Sequence, residues 1–156
     1  MSGAWFSALG EPLGEDEERD IASYLGGLGL RAAVLRVTTW EEARDFCRRP
    51  ADAWWRAEEM ERARLEKGAR LDPADPEWLA LNQALHGAAA AAAVRGGCAD
   101  AGLIHAAAGA AGQAAYHARL AQAAGAPATH PFLRKYALYC GGRWPLGVCN
   151  EQFGIF

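Results

Sequence analysis

The sequence has few of the residue patterns that mark a metal or redox site. Its four cysteines, at 47, 98, 140 and 149, form no C-x-x-C pair, so the patterns of a zinc knuckle and of a thioredoxin-like motif are both absent. Neither E-x-x-H nor H-E-x-x-H occurs, which excludes the helical signatures of di-iron carboxylate proteins and of zinc proteases. We therefore predict no metal and no cofactor, with the thiols in the reduced state.

Signatures of covalent catalysis are also missing. Only three serines occur, at positions 2, 7 and 23, and none of them lies in a nucleophile elbow. Cys98, Cys140 and Cys149 are conceivable thiol nucleophiles, but a small buried cysteine is the more usual state. A general acid–base enzyme stays open, because any histidine titrates near neutrality. Whether the protein is an enzyme is left undecided, with the sequence favouring a protein that is not one.

Charge and hydropathy limit the class of partner. The chain has 16 basic and 19 acidic residues and a net charge of -3, and it shows no basic surplus or stripe of the kind that is typical of nucleic-acid binders. The most apolar run, 88–93, contains only alanine and is too short to span a bilayer. Residues 1–14 lack the basic and apolar regions of a signal peptide. We expect no nucleic-acid partner, no membrane partner and a cytoplasmic protein.

Alanine is abundant instead. It supplies 36 of the 156 residues, and 21 of these lie within 78–124. Because alanine has the highest helix propensity, helix should dominate. Helix signals divide the chain, among them the capping box Thr39–Glu42 and Asp75 before Pro76. The predicted helices span approximately residues 14–26, 40–48, 52–67, 76–95, 98–124 and 131–140.

Two short segments have the pattern of β-strands. Residues 32–37 contain a cluster of β-branched and apolar side chains, and the tail 143–156 alternates around a turn at Asn150–Gln152. The predicted fold is a single mainly α domain over 1–156. It is a compact bundle of five or six helices with a small antiparallel β element that includes a C-terminal hairpin. The strand at 32–37 is a candidate to pair with this hairpin. Residues 1–14 should pack their aromatic side chains onto this body.

The fifth predicted helix contains the most informative arrangement. His105, Gly109, Gly112 and Tyr116 fall almost on one line along it. The two glycines remove side chains from that line. This pattern has two interpretations: a seam where the helix packs closely against the helix at 76–95, or the floor of a groove with His105 and Tyr116 at its ends.

Candidate ligand-pocket residues come from three helices. They are His86, His105 and Tyr116, joined by Glu58 or Glu59 from the third helix. The spacing along that helix also predicts ion pairs of both glutamates with Arg62.

Other residues are candidates for a protein interface, because Trp and Arg are enriched at binding hot spots. They are Trp40, Trp54, Trp55 and Arg62. Neighbouring positions on a helix point about 100° apart. One member of the pair Trp54–Trp55 should therefore lie in the core, and the other is left open.

The run HAAAGAAGQAAYHARLAQAAG at 105–125 resembles the Ala- and His-rich helices of some bacterial putative immunity proteins, and the tail GRWPLGVCNEQFGIF has a similar look. The resemblance covers about a third of the chain. It implies a small cytosolic protein that protects a bacterial cell by binding an interbacterial toxin. It supplies no catalytic residues.

Three hypotheses on function follow. The first is a non-enzymatic binding protein, specifically a bacterial immunity protein that acts as a toxin inhibitor by occluding the active site of a cognate toxin. The alternative is a small helical enzyme or ligand-binding protein with a His/Tyr/Glu pocket. The third is a subunit or chaperone in a larger complex.

Overall fold

A computed structural model describes residues 4–156. The predicted mainly helical fold is confirmed, and the bounds of the helices differ from the predicted ones by only a few residues. In chain order the elements are α1 (Glu15–Gly27), β1 (Ala33–Arg36), α2 (Trp40–Cys47), α3 (Asp52–Glu66), α4 (Pro76–Arg95), α5 (Ala101–Ala123), α6 (Pro131–Cys140), β2 (Pro145–Cys149) and β3 (Gln152–Ile155).

Local capping explains where the central helices begin. The Asp75 carboxylate accepts a hydrogen bond from the backbone N–H of Glu77, and Pro76 occupies the first turn of α4. The Asp100 carboxylate accepts from the backbone N–H of Leu103 and opens α5. Both contacts satisfy backbone donors that a helix N-terminus leaves free.

Helix α5 lies at the centre of the bundle. It packs on α3, α4 and α6, and its buried face consists mostly of alanine. Short side chains let neighbouring helices approach closely. Larger aromatic side chains, such as Trp78 and Trp144, are buried in the same core.

A three-stranded sheet with the order β1-β3-β2 packs on the helices, with β2 in contact with α2, α3 and α6. The predicted C-terminal hairpin is present: β2 and β3 are antiparallel, and Asn150 and Glu151 both have positive φ in the turn, as in a type I′ hairpin. Residues 33–36 do pair with the tail, but β1 and β3 run parallel. The β element is therefore mixed rather than purely antiparallel. A strand separated from its neighbour by five helices is not bound to the antiparallel direction that a two-residue turn imposes.

The N-terminal segment packs onto the body as predicted, although residues 1–3 lie outside the described part. Trp5 and Phe6 are buried. The Arg143 guanidinium holds the segment by donating to the backbone carbonyl groups of Ala8 and Glu11, at 2.6 and 2.7 Å.

Within residues 4–156, none of the helices has the length and apolarity needed to cross a membrane.

Candidate functional site

A charged pair is buried between α3 and α6. Glu58 and Lys135 are each only 2% exposed, and the Lys135 ammonium donates to Oε1 of Glu58 at 2.5 Å. The same oxygen accepts from the Tyr24 hydroxyl at 2.5 Å, and that hydroxyl accepts from the Trp54 indole at 2.6 Å. Because isolated charges are very costly to bury, this network is what makes the pair tolerable in the core.

Aromatic rings surround the Lys135 ammonium. Its Nζ lies 4.9 Å from the ring centroid of Trp54 and 5.8 Å from that of Tyr24, which are cation–π distances. Burial raises the pKa of Tyr24 well above its usual value, and the Glu58 carboxylate adds to the effect. Tyr24 therefore stays a neutral donor to Glu58.

Several buried polar atoms near this pair have no hydrogen-bond partner within the described residues. They include Oε2 of Glu58, Nδ1 of His117 and the hydroxyl of Tyr139. The Trp144 indole lies near the Tyr139 hydroxyl, but no hydrogen bond of ordinary geometry joins them. Incomplete polar networks of this kind are uncommon in protein cores.

A cavity of about 490 Å³ lies beside the buried pair. Five aromatic side chains form much of its wall: Phe46, Trp54, Trp55, Tyr139 and Trp144. Ala106, Gly109 and Ala110 of α5 line another side. Since Trp55 and Gly109 are exposed, the cavity opens to solvent.

Two glycines in the sheet leave room for two of the aromatic rings that line the cavity. At Gly147 a Cβ would lie 2.6 Å from the Trp54 ring, and φ is +108°, in the region that favours glycine. At Gly154 a Cβ would lie 2.7 Å from the Phe46 ring. The sheet can therefore approach these rings only because both positions lack a side chain.

The charged groups that line the cavity are cations. Lys135 and Arg49 are both in its lining, together with the Gln113 amide, and its described lining includes no carboxylate. The Arg49 guanidinium lies 5.2 Å from the Phe46 ring centroid and donates to Gln152 at 3.4 Å. In the part of the chain that the structure describes, Arg49 forms no ion pair, so its charge is available to a ligand.

Two of the cysteines, Cys47 and Cys140, have thiols with raised pKa values. All four are free. Cys47 is exposed at the edge of the cavity, but partial desolvation of its thiol raises the pKa to about 11. Burial also raises the pKa of Cys140. Both thiols are protonated at neutral pH.

The two candidate glutamates lie in different environments. Glu58 lies in the core beside the cavity, whereas Glu59 is exposed and bonds Arg62. The predicted Glu58–Arg62 pair is wrong, because Glu58 points inward to Lys135. Arg62 pairs with Glu59 and Glu66 instead.

The structure brings His86 and His105 together, with ring centroids 5.4 Å apart. It does not bring Tyr116 to them, since eleven residues of helix span about 16 Å. Tyr116 packs on Trp78, and its hydroxyl donates to Glu66 at 3.3 Å. These three residues and the glutamates therefore do not form one pocket.

Each of the two interpretations of the predicted line along α5 fits one part of that line. Gly112 is buried, and a Cβ there would lie 3.5 Å from the Asn82 side chain of α4, as a seam requires. Gly109 lines the aromatic cavity, with no heavy atom within 4 Å of a Cβ placed there, as a groove requires.

The interface candidates also differ in position. Trp54 is buried, as expected for one member of the pair, while Trp55 is 50% exposed. Trp40 is partly buried against Trp144 and Phe156, and its indole donates to the Gly96 carbonyl at 2.8 Å. Trp40 therefore serves the core.

Sequence reasoning missed Lys135, Tyr24, Arg49 and Tyr139. One signal was available: Lys135 falls on the apolar face of α6, at the spacing of the buried Phe132, Leu138 and Tyr139. A lysine on such a face requires a buried partner.

Titration of His117 predicts an acid-dependent loss of stability. Burial lowers its pKa to about 4, and Lys135 adds to the effect while Glu58 opposes it. The unfolded chain takes up this proton near pH 6.5, so the stability is complete above that pH and is lost as the pH falls towards 4. We expect a loss of about 3 kcal/mol in the free energy of unfolding.

Urea denaturation between pH 7 and pH 4 measures this loss, and His117→Leu should remove it. His105→Asn is the control and should keep the wild-type dependence. Equal dependence in wild type and His117→Leu would show that the imidazole is not the responsible group.

Among the described residues, no three His, Cys, Asp or Glu side chains are grouped to hold a metal ion.

Comparisons of the chain with protein-family models, with curated proteins and with solved structures give no match.

Proposed function

We propose that the protein binds a small organic anion with a flat apolar body in the aromatic cavity. The observation that carries the proposal is a cavity of about 490 Å³ with aromatic walls and a described lining whose charged groups, Lys135 and Arg49, are both cations. Small-molecule sites are typically of this size and combine an apolar lining with a few polar groups.

The apolar part of the ligand would lie among the indole rings. Trp54 and Trp55 have ring centroids 4.4 Å apart and are tilted by 51°. Aromatic faces of this kind favour a planar ligand, because offset stacking and edge contacts add to the burial of apolar area.

The acidic part of the ligand would bind Arg49. The charge of Lys135 is already matched by Glu58, whereas Arg49 has no carboxylate partner among the described side chains. A guanidinium forms two parallel hydrogen bonds with a carboxylate or sulfonate.

Fluorescence titration tests the proposal with two probes that share one apolar body. We expect 1-anilinonaphthalene-8-sulfonate, an anion, to bind with micromolar affinity, and the uncharged N-phenyl-1-naphthylamine to bind more weakly. Arg49→Gln should weaken binding of the anion roughly tenfold, the value of one charged hydrogen bond, and leave the neutral probe unchanged.

A second variant tests the location. In Gly109→Leu the new side chain enters the cavity, because nothing lies within 4 Å of its Cβ position, and both probes should be excluded. Gly87→Leu on α4, where a Cβ is equally free, is the matched control and should bind both. Unchanged binding in Gly109→Leu would reject the cavity as the site.

The immunity-protein hypothesis stays a prediction of the sequence. The feature that supports a protein partner is Trp55, a half-exposed indole of the type that forms interface hot spots. Co-expression with the product of a toxin gene directly upstream tests it. Protection of growth that is lost in Trp55→Ala is the expected result, and no protection by the wild type would refute it.

A further inference from the structure

We propose that His86 and His105 form a two-histidine site for a divalent transition-metal ion, linking α4 to α5 at the protein surface. This site is separate from the aromatic cavity, whose lining contains neither residue. Imidazole suits Zn²⁺, Ni²⁺ and Cu²⁺. The class of ligand is therefore a borderline metal ion rather than Mg²⁺ or Ca²⁺, which prefer oxygen ligands.

The separation of the two rings fits a shared ion. A metal lies about 2.0–2.1 Å from each coordinating nitrogen, and the ring centre lies about 1.1 Å beyond it. With a tetrahedral angle at the metal, the two ring centroids are then roughly 5 Å apart. The observed separation is 5.4 Å, with the ring planes tilted by 59°.

Both imidazoles are available to an ion. His105 is exposed and His86 is half-buried, so an ion can reach them from solvent. Within residues 4–156 neither ring makes a hydrogen bond, and neither faces a carboxylate in an ion pair. Metal binding therefore breaks no hydrogen bond between these rings and the described part of the protein.

The backbone positions of the two histidines are fixed before an ion arrives. Helices α4 and α5 pack along their length, and the Asn82 amide, one turn from His86, donates to the Gly112 carbonyl at 3.3 Å. Such preorganisation lowers the entropy lost on binding. With two protein ligands, the remaining coordination positions of the ion are filled by water. No described side chain hydrogen-bonds the second nitrogen of either ring. We therefore expect micromolar rather than tighter affinity.

The test uses the chain without an affinity tag. It carries Cys47→Ser and Cys140→Ser, which remove its exposed thiols. Calorimetric titration with Cu²⁺ and with Ni²⁺ should give one ion per chain. Either His86→Asn or His105→Asn should weaken binding at least tenfold, because each leaves a single imidazole. The electron paramagnetic resonance spectrum of the Cu²⁺ complex should show coupling to two imidazole nitrogens.

Thermal unfolding tests whether the bound ion joins α4 to α5. At about 100 times the dissociation constant, Ni²⁺ should raise Tm by roughly 5–10 °C, and the rise should vanish in both histidine variants. Their Tm without metal should equal that of the parent, which excludes a folding defect. Binding of equal strength in parent and variants, a spectrum with one nitrogen, or no binding below about 1 mM would each overturn the proposal.

Discussion

Replacing Glu58 by glutamine is expected to lower the free energy of unfolding by about 3–5 kcal/mol, the usual effect of removing one partner from a buried ion pair. The glutamine amide can occupy the same space. It cannot neutralise the Lys135 ammonium, which is 2% exposed and has no other carboxylate within hydrogen-bond reach among the described residues. The loss reflects an uncompensated buried charge more than a missing contact. Urea denaturation at neutral pH measures it.

Two further variants give this prediction a control and a test of its cause. Glu59→Gln changes the neighbouring, exposed carboxylate that bonds Arg62, and it should affect stability far less because surface pairs contribute little. The double variant Glu58→Leu/Lys135→Met should recover much of the loss, since an apolar pair of similar volume replaces the ion pair. If the double variant is as unstable as Glu58→Gln, the buried charge is not the cause.

Gly147→Ala is expected to cost about 3–5 kcal/mol in the free energy of unfolding, although it adds one methyl group. Two effects combine: an alanine at φ of +108° is strained, and its Cβ would lie 2.6 Å from the Trp54 ring. Trp54 cannot simply move away, because its indole donates to Tyr24. Chemical denaturation measures the loss, and near-ultraviolet circular dichroism should show the displaced indole.

Gly97→Ala separates the two effects. Gly97 also has a left-handed conformation, with φ of +90°, but no heavy atom lies within 4 Å of a Cβ placed there. It should therefore cost only the backbone strain, about 1–3 kcal/mol. Equal losses in Gly97→Ala and Gly147→Ala would mean that contact with Trp54 contributes nothing.

The helices were predictable because their signals are local. The Thr39 hydroxyl, which accepts from the backbone N–H of Glu42, and Asp75 before Pro76 each act within a few residues of the boundary that they set. The hairpin was predictable for the same reason. The parallel direction of β1 was not, because it depends on the path of the five helices between the strands.

The site was only partly predictable, because it is assembled from distant positions. Glu58 and Trp54 were candidates, but Tyr24 meets Glu58 across 34 residues and Lys135 meets it across 77. No periodicity within one helix encodes such pairs. The line from His105 to Tyr116 divided for a related reason: Gly112 faces Asn82 of α4, whereas Gly109 faces the cavity.

The parallel pairing of β1 with β3 also affects when the domain can form during translation. Ala33 has its partner at Gln152, so β1 cannot pair with β3 during translation until residues 152–155 have been made. The helices between them form local contacts on a microsecond scale, whereas a pairing of such high sequence separation is intrinsically slow. We therefore expect closure of the sheet to be a late event in folding, with the backbone N–H and C=O groups of β1 left without their β3 partners on nascent chains until residues 152–155 emerge.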